Sequence, residues 1–254
     1  MFTVLDRERV CRDVLEMARQ DTRIVAGAVV GSLAFSEGDR WSDLDLTFGV
    51  ADEAKVDEVL ADWTLKIAEK FKAAQLFDLA AGPSIYRVFL LPGCLQFDLS
   101  FTPASQFGAI SPKFKLLFGT AMEKPHTQPA SAPDLFGYAV HHLVRGRICI
   151  ERGRYWQAEY WISAARDYAL NLACRQRGLA SSYGRGFDDL PEEVRVRFAG
   201  ALPASLERDT LLAALNVVIE GVIQEAPNFP DDAPKVEKRL RELTQLEFGS
   251  ESRE

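Results

Sequence analysis

Apolar and polar residues alternate along this chain with two periods, and the change from one period to the other sets out its elements. Val10, Cys11, Val14, Leu15 and Ala18 recur at helical spacing through residues 5–20, which predicts a first helix. The unbroken apolar run Ile24 to Val30 then predicts a buried strand emptying into a Gly31-Ser32 turn. Leu44 to Val50 reads as a second strand. A long amphipathic helix follows to about Lys72, capped by Asp52 or a neighbour, with Val56, Val59, Leu60, Trp63, Ile67 and Phe71 on its apolar stripe. Short strands are predicted at Gln75 to Leu79, Ile85 to Leu91 and Leu95 to Phe101, punctuated by Gly82-Pro83 and Pro92-Gly93. The last of these alternates cleanly, with Leu95, Phe97, Leu99 and Phe101 on one face and Gln96, Asp98 and Ser100 on the other.

Periodicity weakens between Pro103 and Pro133, where Pro112, Pro125, Pro129 and the lone His126 also fall, and this stretch reads as a connector. Beyond it the pattern is helical. Helices are predicted from Leu135 to about Arg152, ended by Gly153, and from Arg154 to Gly178, with Ala158, Trp161, Ile162, Ala165, Ala169 and Leu172 inward. A loop, Ser181 to Asp189, leads to a helix opened by Pro191, then one over Leu206 to Glu225, and a charged last helix after Pro234 that frays at Gly249. The expected fold is therefore α/β (α+β), with a small mixed sheet flanked by helices over residues 1–110. A connector over 111–133 and a helical bundle over 134–254 complete it.

Composition narrows the class. A 47% hydrophobic content with 26% charged residues is that of a folded globular protein, and 254 residues suffice for one large domain or two modest ones. The formal net charge of −7 argues against a broad nucleic-acid-binding surface, though a local basic groove is compatible with it. Cys11, Cys94, Cys149 and Cys174 are scattered without metal-ligand spacing and read as reduced thiols. No apolar run is long enough to cross a bilayer and the N-terminus lacks a signal-peptide layout, so the expectation is a soluble, cytoplasmic protein.

The candidate chemistry sits where strands meet turns. Glycine lets backbone approach an anion closely, and Ser32 adds a hydroxyl, so the Gly31-Ser32 turn can cradle a phosphate. Asp43 and Asp45, spaced i, i+2, share a strand face, with Leu44, Leu46 and Phe48 on the other. Like charges side by side cost energy unless a cation lies between them, and paired hard oxygen ligands suit Mg²⁺. Should the strand of Asp98 pair beside that of Asp43 and Asp45, three carboxylates would converge next to the phosphate turn, a site for metal-assisted phosphoryl or nucleotidyl transfer.

Gly31-Ser32, ten residues, Asp43-Leu44-Asp45 and a later strand bearing Asp98 together resemble the nucleotidyltransferase superfamily of the DNA polymerase beta type. The likeness is nearer to the bacterial antibiotic nucleotidyltransferases that adenylylate aminoglycosides and lincosamides; it covers about residues 20 to 105 and is looser beyond 110. It implies Asp43 and Asp45 as metal ligands, Gly31 and Ser32 as the triphosphate-holding turn, and Asp98 as general base, metal ligand or both. Arg40 and Ser42 are further candidates for contact with the nucleotide. Also implied are Mg²⁺, as two ions, an NTP such as ATP as co-substrate, and a small-molecule acceptor held between the two domains. An acidic cleft would favour a cationic acceptor such as an aminoglycoside. A protein-adenylylating enzyme of the toxin-antitoxin or regulatory kind and a non-catalytic nucleotide-binding module are the alternatives.

Other residues carry plainer readings. Asp43 could cap a turn, Asp45 could pair with Arg40, and Arg40 could balance Asp43 or stay solvated. Glu151, Glu159, Arg166 and Asp167 read as ion-paired or solvated helix faces. His141 and His142 point about 100° apart on a helix, which makes them structural, and Tyr155, Trp156, Tyr160 and Trp161 read as core with some cleft lining.

Overall fold

The computed structural model describes residues 1–35, 38–126, 128–226 and 233–245. The chain divides into two compact units, Met1–Thr127 and Gln128–Glu254. In the first, α1 (Val4–Gln20) precedes β1 (Ile24–Val30), a short 3-10 helix (Gly31–Phe35) and β2 (Leu44–Val50). After α2 (Val56–Phe71) come β3 (Ala74–Ala81), β4 (Ser84–Leu91), β5 (Leu95–Pro103) and β6 (Phe114–Phe118). The second holds α3 (Ala132–Glu151), α4 (Tyr155–Gln176), α5 (Glu192–Arg197), α6 (Arg208–Glu225) and α7 (Ala233–Gln245). The α/β sheet followed by helices is the architecture the hydrophobic pattern predicts.

The strands form one mixed sheet in the order β3-β4-β5-β2-β1-β6. β2 and β5 run parallel, and the other neighbours are antiparallel. Two parallel strands at the centre need a crossover, and α2 lies within it. Leu44, Leu46 and Phe48 of β2 and Leu95, Phe97, Leu99 and Phe101 of β5 pack with Val10, Val14 and Ala18 of α1 and Trp63 and Ile67 of α2 in one buried core. Rings of Phe48, Trp63 and Phe101 meet at 5.4 to 5.9 Å between centroids, a tilted packing that aromatic quadrupoles favour. Both helices thus cover one face of the sheet, and Asp45 and Asp98 stand on the other.

Two expectations are corrected here. Residues 111–133 are more than a connector: Phe114–Phe118 forms β6, which pairs with β1 at the sheet edge. Asp52 does not cap α2, whose N-cap is Lys55 without a side-chain bond; Asp52 instead accepts hydrogen bonds from the Ser105 amide and hydroxyl at 3.1 and 2.8 Å. Helix α1 has a cap the pattern did not reveal, a reciprocal pair in which the Asp6 amide donates to Thr3 Oγ1 and the Thr3 amide to Asp6 Oδ2. Gly153 and Gly178 follow the ends of α3 and α4 with φ of 64° and 70°, the left-handed conformation expected past a helix end. The fraying foreseen at Gly249 lies outside the described residues. All four cysteines are free, and among the described residues no helix is long and apolar enough to cross a membrane.

Candidate active site

Sheet register assembles the site. Asp45 and Asp98 are direct partners across the parallel β2–β5 pair, and Thr47 and Ser100 are the next pair along the same face. Neighbouring strands lie about 4.8 Å apart, so in-register side chains on one face are necessarily neighbours. Below the carboxylates the two hydroxyls close on each other, Ser100 Oγ donating to Thr47 Oγ1 at 2.8 Å. Asp43, Asp45 and Asp98 are each half-buried.

Asp98 carries the electrostatic mark of that crowding. Burial holds its carboxyl above the usual carboxylate range and the charge of Asp43 adds to the effect, while a hydrogen bond donated by Gln96 Nε2 to Oδ1 at 3.0 Å works against it. Asp43 is therefore close enough to act on Asp98 although it precedes the first residue of β2.

Gly31 fits against this pair for two reasons. Its φ of 71° is one that residues with a side chain seldom adopt, and a Cβ built on it would collide with Asp45 Oδ2. The turn predicted as a phosphate cradle thus lies against the predicted metal-binding carboxylate. The Gly31 amide is already used, donating to the Lys113 carbonyl at 3.1 Å just ahead of β6. Ser32 is half-buried in the first turn of the 3-10 helix, where backbone amides have no partner within the helix.

Residues 38–42 form a tightly bonded loop. Asp39 Oδ1 accepts from the Trp41 amide at 2.8 Å and from Ser42 Oγ at 3.2 Å, and Ser42 Oγ accepts from the Asp39 amide at 3.0 Å. These bonds, the one to the Trp41 amide first, hold the Asp39 carboxyl below its ordinary range. Ser42 serves the loop itself. Arg40 is exposed and lies over the Trp41 ring, 3.9 Å from its centroid. Beneath the loop is a residue that the pattern did not single out: Arg7 of α1, only 6% exposed, whose Nη1 donates to the carbonyls of Asp39 at 2.8 Å and Ser42 at 2.6 Å. Its sequence signal was no more than a charged residue on the stripe of Val10, Val14 and Ala18.

The donor set of Asp43, Asp45 and Asp98 has the chemistry that suits a hard cation such as Mg²⁺. Among the described residues no three His, Cys, Asp or Glu side chains are grouped closely enough to hold an ion as they stand.

The polar residues of the helical unit are committed to one another. Glu151 pairs with Arg147 at 2.9 Å and with Arg208 at 2.9 Å, Glu159 accepts from Ser163 Oγ at 2.5 Å, and Arg166 pairs with Asp167 at 2.8 Å. His142 packs on the rings of Trp161 and Tyr168, its Nδ1 2.6 Å from the Tyr138 carbonyl, and burial lowers its pKa. Tyr155 and Trp161 pack against the helical core, whereas Trp156 and Tyr160 are exposed.

No family profile and no curated protein matches the sequence. Among solved structures the chain is similar to an aminoglycoside 6-adenyltransferase from Bacillus subtilis, at 14% identity over 91% of this chain and 95% of that one, with a TM-score of 0.38. It is also similar to the CdnE cyclic dinucleotide synthase of Elizabethkingia meningoseptica, at 11% identity over 94% of this chain and 89% of that one, with a TM-score of 0.29.

Proposed function

We propose that this protein transfers a nucleoside monophosphate from an NTP, with ATP the first candidate, to a hydroxyl of a small-molecule acceptor and releases pyrophosphate. The observation that carries the reading is the in-register pairing of Asp45 with Asp98 against Gly31, because like charges directly opposite each other on a strand pair are destabilising and a cation between them relieves that cost. Asp43 and Asp45, with Asp98 completing the set, are the residues that would hold Mg²⁺. The ion's contribution when bound is to neutralise charge on the phosphate oxygens.

The chain's own residues do the rest. Gly31, having no Cβ, leaves Asp45 its place in the site, and Ser32 offers its hydroxyl to the phosphates. Asp98 takes the proton of the acceptor hydroxyl, whose oxygen forms the new bond to the α-phosphorus as the bond to the β-phosphate oxygen breaks and pyrophosphate leaves with that electron pair. Burial raises the proton affinity of Asp98, which favours this role, and the Gln96 bond fixes one of its oxygens. The net charge of −7 and the acidic face favour a cationic acceptor, an amino sugar being the first class to try.

The test is pyrophosphate release from each NTP with Mg²⁺ across a panel of aminoglycosides, lincosamides and cell extract, with Asp45→Asn as control. Release that requires both an acceptor and Asp45 supports the reading. Nucleotide binding without release on any acceptor refutes it.

A further inference from the structure

Sheet register places Asp45 and Asp98, but it does not place Asp43. β2 begins at Leu44, so Asp43 lies outside the ladder and takes no position from strand pairing. What precedes it is the 38–42 loop, and the Ser42 carbonyl is half of the peptide unit whose other half is the Asp43 amide. Arg7 Nη1 donates to that carbonyl at 2.6 Å and to the Asp39 carbonyl at 2.8 Å, gripping both ends of the loop from α1. Orienting the Ser42–Asp43 peptide sets the direction in which the Asp43 side chain leaves the backbone.

The chemistry of the grip is unusual for a purely structural contact. Arg7 is 6% exposed, and among the described residues its guanidinium forms no ion pair. Burying a cation costs several kcal/mol, and carbonyl oxygens alone offset that poorly unless negative charge lies near. Asp39 does feel the charge of Arg7, and Asp43 follows Asp39 on the same loop. A neutral donor could have tied the loop to α1 at lower cost.

We propose that Arg7 is the positioning residue for Asp43, clamping the Asp39 and Ser42 carbonyls so that the third carboxylate is held toward the Asp45–Asp98 pair in readiness for the cation. The proposal rests on the metal-binding reading given under Proposed function. Partners behind a metal ligand commonly change metal affinity 10- to 100-fold when removed.

The experiment titrates Mn²⁺ into the full chain with α,β-methylene ATP, following free Mn²⁺ by EPR, in wild type, R7M, R7K, D43N and R7M/D43N. Amide exchange of the metal-free proteins is measured alongside. The expected result is an apparent Mn²⁺ Kd raised about tenfold or more by R7M, an intermediate rise for R7K, and less than a twofold further effect of R7M once Asp43 is gone. Residues 39–43 should exchange faster in R7M while β5 does not. Equal losses from R7M in the Asp43 and D43N backgrounds, or wild-type affinity in R7M, overturn the proposal while leaving nucleotidyl transfer standing. If R7M does not fold, R7K decides in the same way. Wild type that takes up neither Mn²⁺ nor the analogue overturns the nucleotidyl-transfer reading, and the role of Arg7 in the metal site with it.

Discussion

Asp45 and Asp98 are direct partners across parallel strands, two half-buried carboxylates on one face with Gly31 against one of them and Gln96 bonded to the other. Such a pair stores repulsion in the folded state. Replacing Asp98 with Asn should therefore raise the metal-free melting temperature, by the equivalent of about 0.5–1 kcal/mol, while lowering pyrophosphate release 10²- to 10⁴-fold. Differential scanning calorimetry and a release assay on the same preparation check both halves. A variant that is inactive and also less stable would mean that Asp98 is a structural residue.

The titration of Asp98 offers a separate check on the metal-free protein. Burial raises its carboxyl first and the charge of Asp43 raises it further, so its NMR titration should lie above the ordinary carboxylate range. In Asp43→Asn the midpoint should move down toward that range, and in Gln96→Leu it should move up, because the bond from Gln96 favours the ionised form. Midpoints that stay put in both variants would show that the groups do not share a site.

These relationships were legible in the sequence to different depths. Alternation in Leu95 to Phe101 and in Leu44 to Val50 fixed the faces of Asp98 and Asp45, because the side-chain period of a strand is two, whereas Asp43 precedes β2 and the expected shared strand face does not apply to it. Alternation does not fix register, so the partnership of residues 45 and 98 had to come from the sheet. β6 was missed because Phe114–Phe118 shows no two-residue alternation and sits among prolines. Arg7 was missed for a different reason: its partners are backbone carbonyls, and carbonyl acceptors leave no trace in residue identities.

An ionic cluster between side chains links the end of α1 to α2. Asp21 accepts from Arg23 at 2.8 and 2.6 Å and from Trp63 Nε1 at 3.0 Å, and the Arg23 bonds lead in holding its carboxyl down at about 2. A depressed carboxyl contributes stability that is full above its unfolded value near 4 and is lost as pH falls through the folded value. Between about pH 4 and pH 2 the first unit should lose on the order of 1–2 kcal/mol through this group, discounted because Arg23 is partly solvated. Asp21→Asn should flatten that part of the curve in urea melts taken across the range. An unchanged acid slope in the variant would assign the loss to other carboxylates.

Among the described residues of the helical unit the buried carboxylate is Glu225, 3% exposed, held by Arg177 at 3.0 Å and Arg197 at 3.4 Å. Removing Glu225 leaves two guanidinium groups that are each about a third exposed, so solvent compensates part of the lost pairing and the cost falls to about 1–3 kcal/mol. Glu225→Gln should destabilise the unit by the lower end of that figure, and Glu225→Leu by more, since two guanidinium groups then face an apolar side chain. Thermal unfolding checks the order. Equal stability of Glu225→Leu and wild type would show the network to be an exposed surface pair in energy, whatever its geometry.

Gly31 separates the fold from the chemistry most sharply. An alanine there must hold a φ near 71°, which costs about 1 kcal/mol for a residue with a side chain, and its Cβ meets Asp45 Oδ2. Collision with the far end of a side chain is relieved by moving that side chain, so the protein should fold with a loss of about 1–3 kcal/mol. Asp45 cannot make that movement without leaving its place beside Asp98. Gly31→Ala should therefore lower pyrophosphate release by at least tenfold at saturating Mg²⁺, and Gly82→Ala gives the matching control. Gly82 also has positive φ, 58°, but a Cβ there meets nothing within 4 Å, so the control carries the backbone strain without the collision. If both variants lose activity equally, strain alone accounts for the effect and Gly31 has no part in placing Asp45. If only Gly31→Ala loses it, the glycine is needed for the space it leaves to a carboxylate.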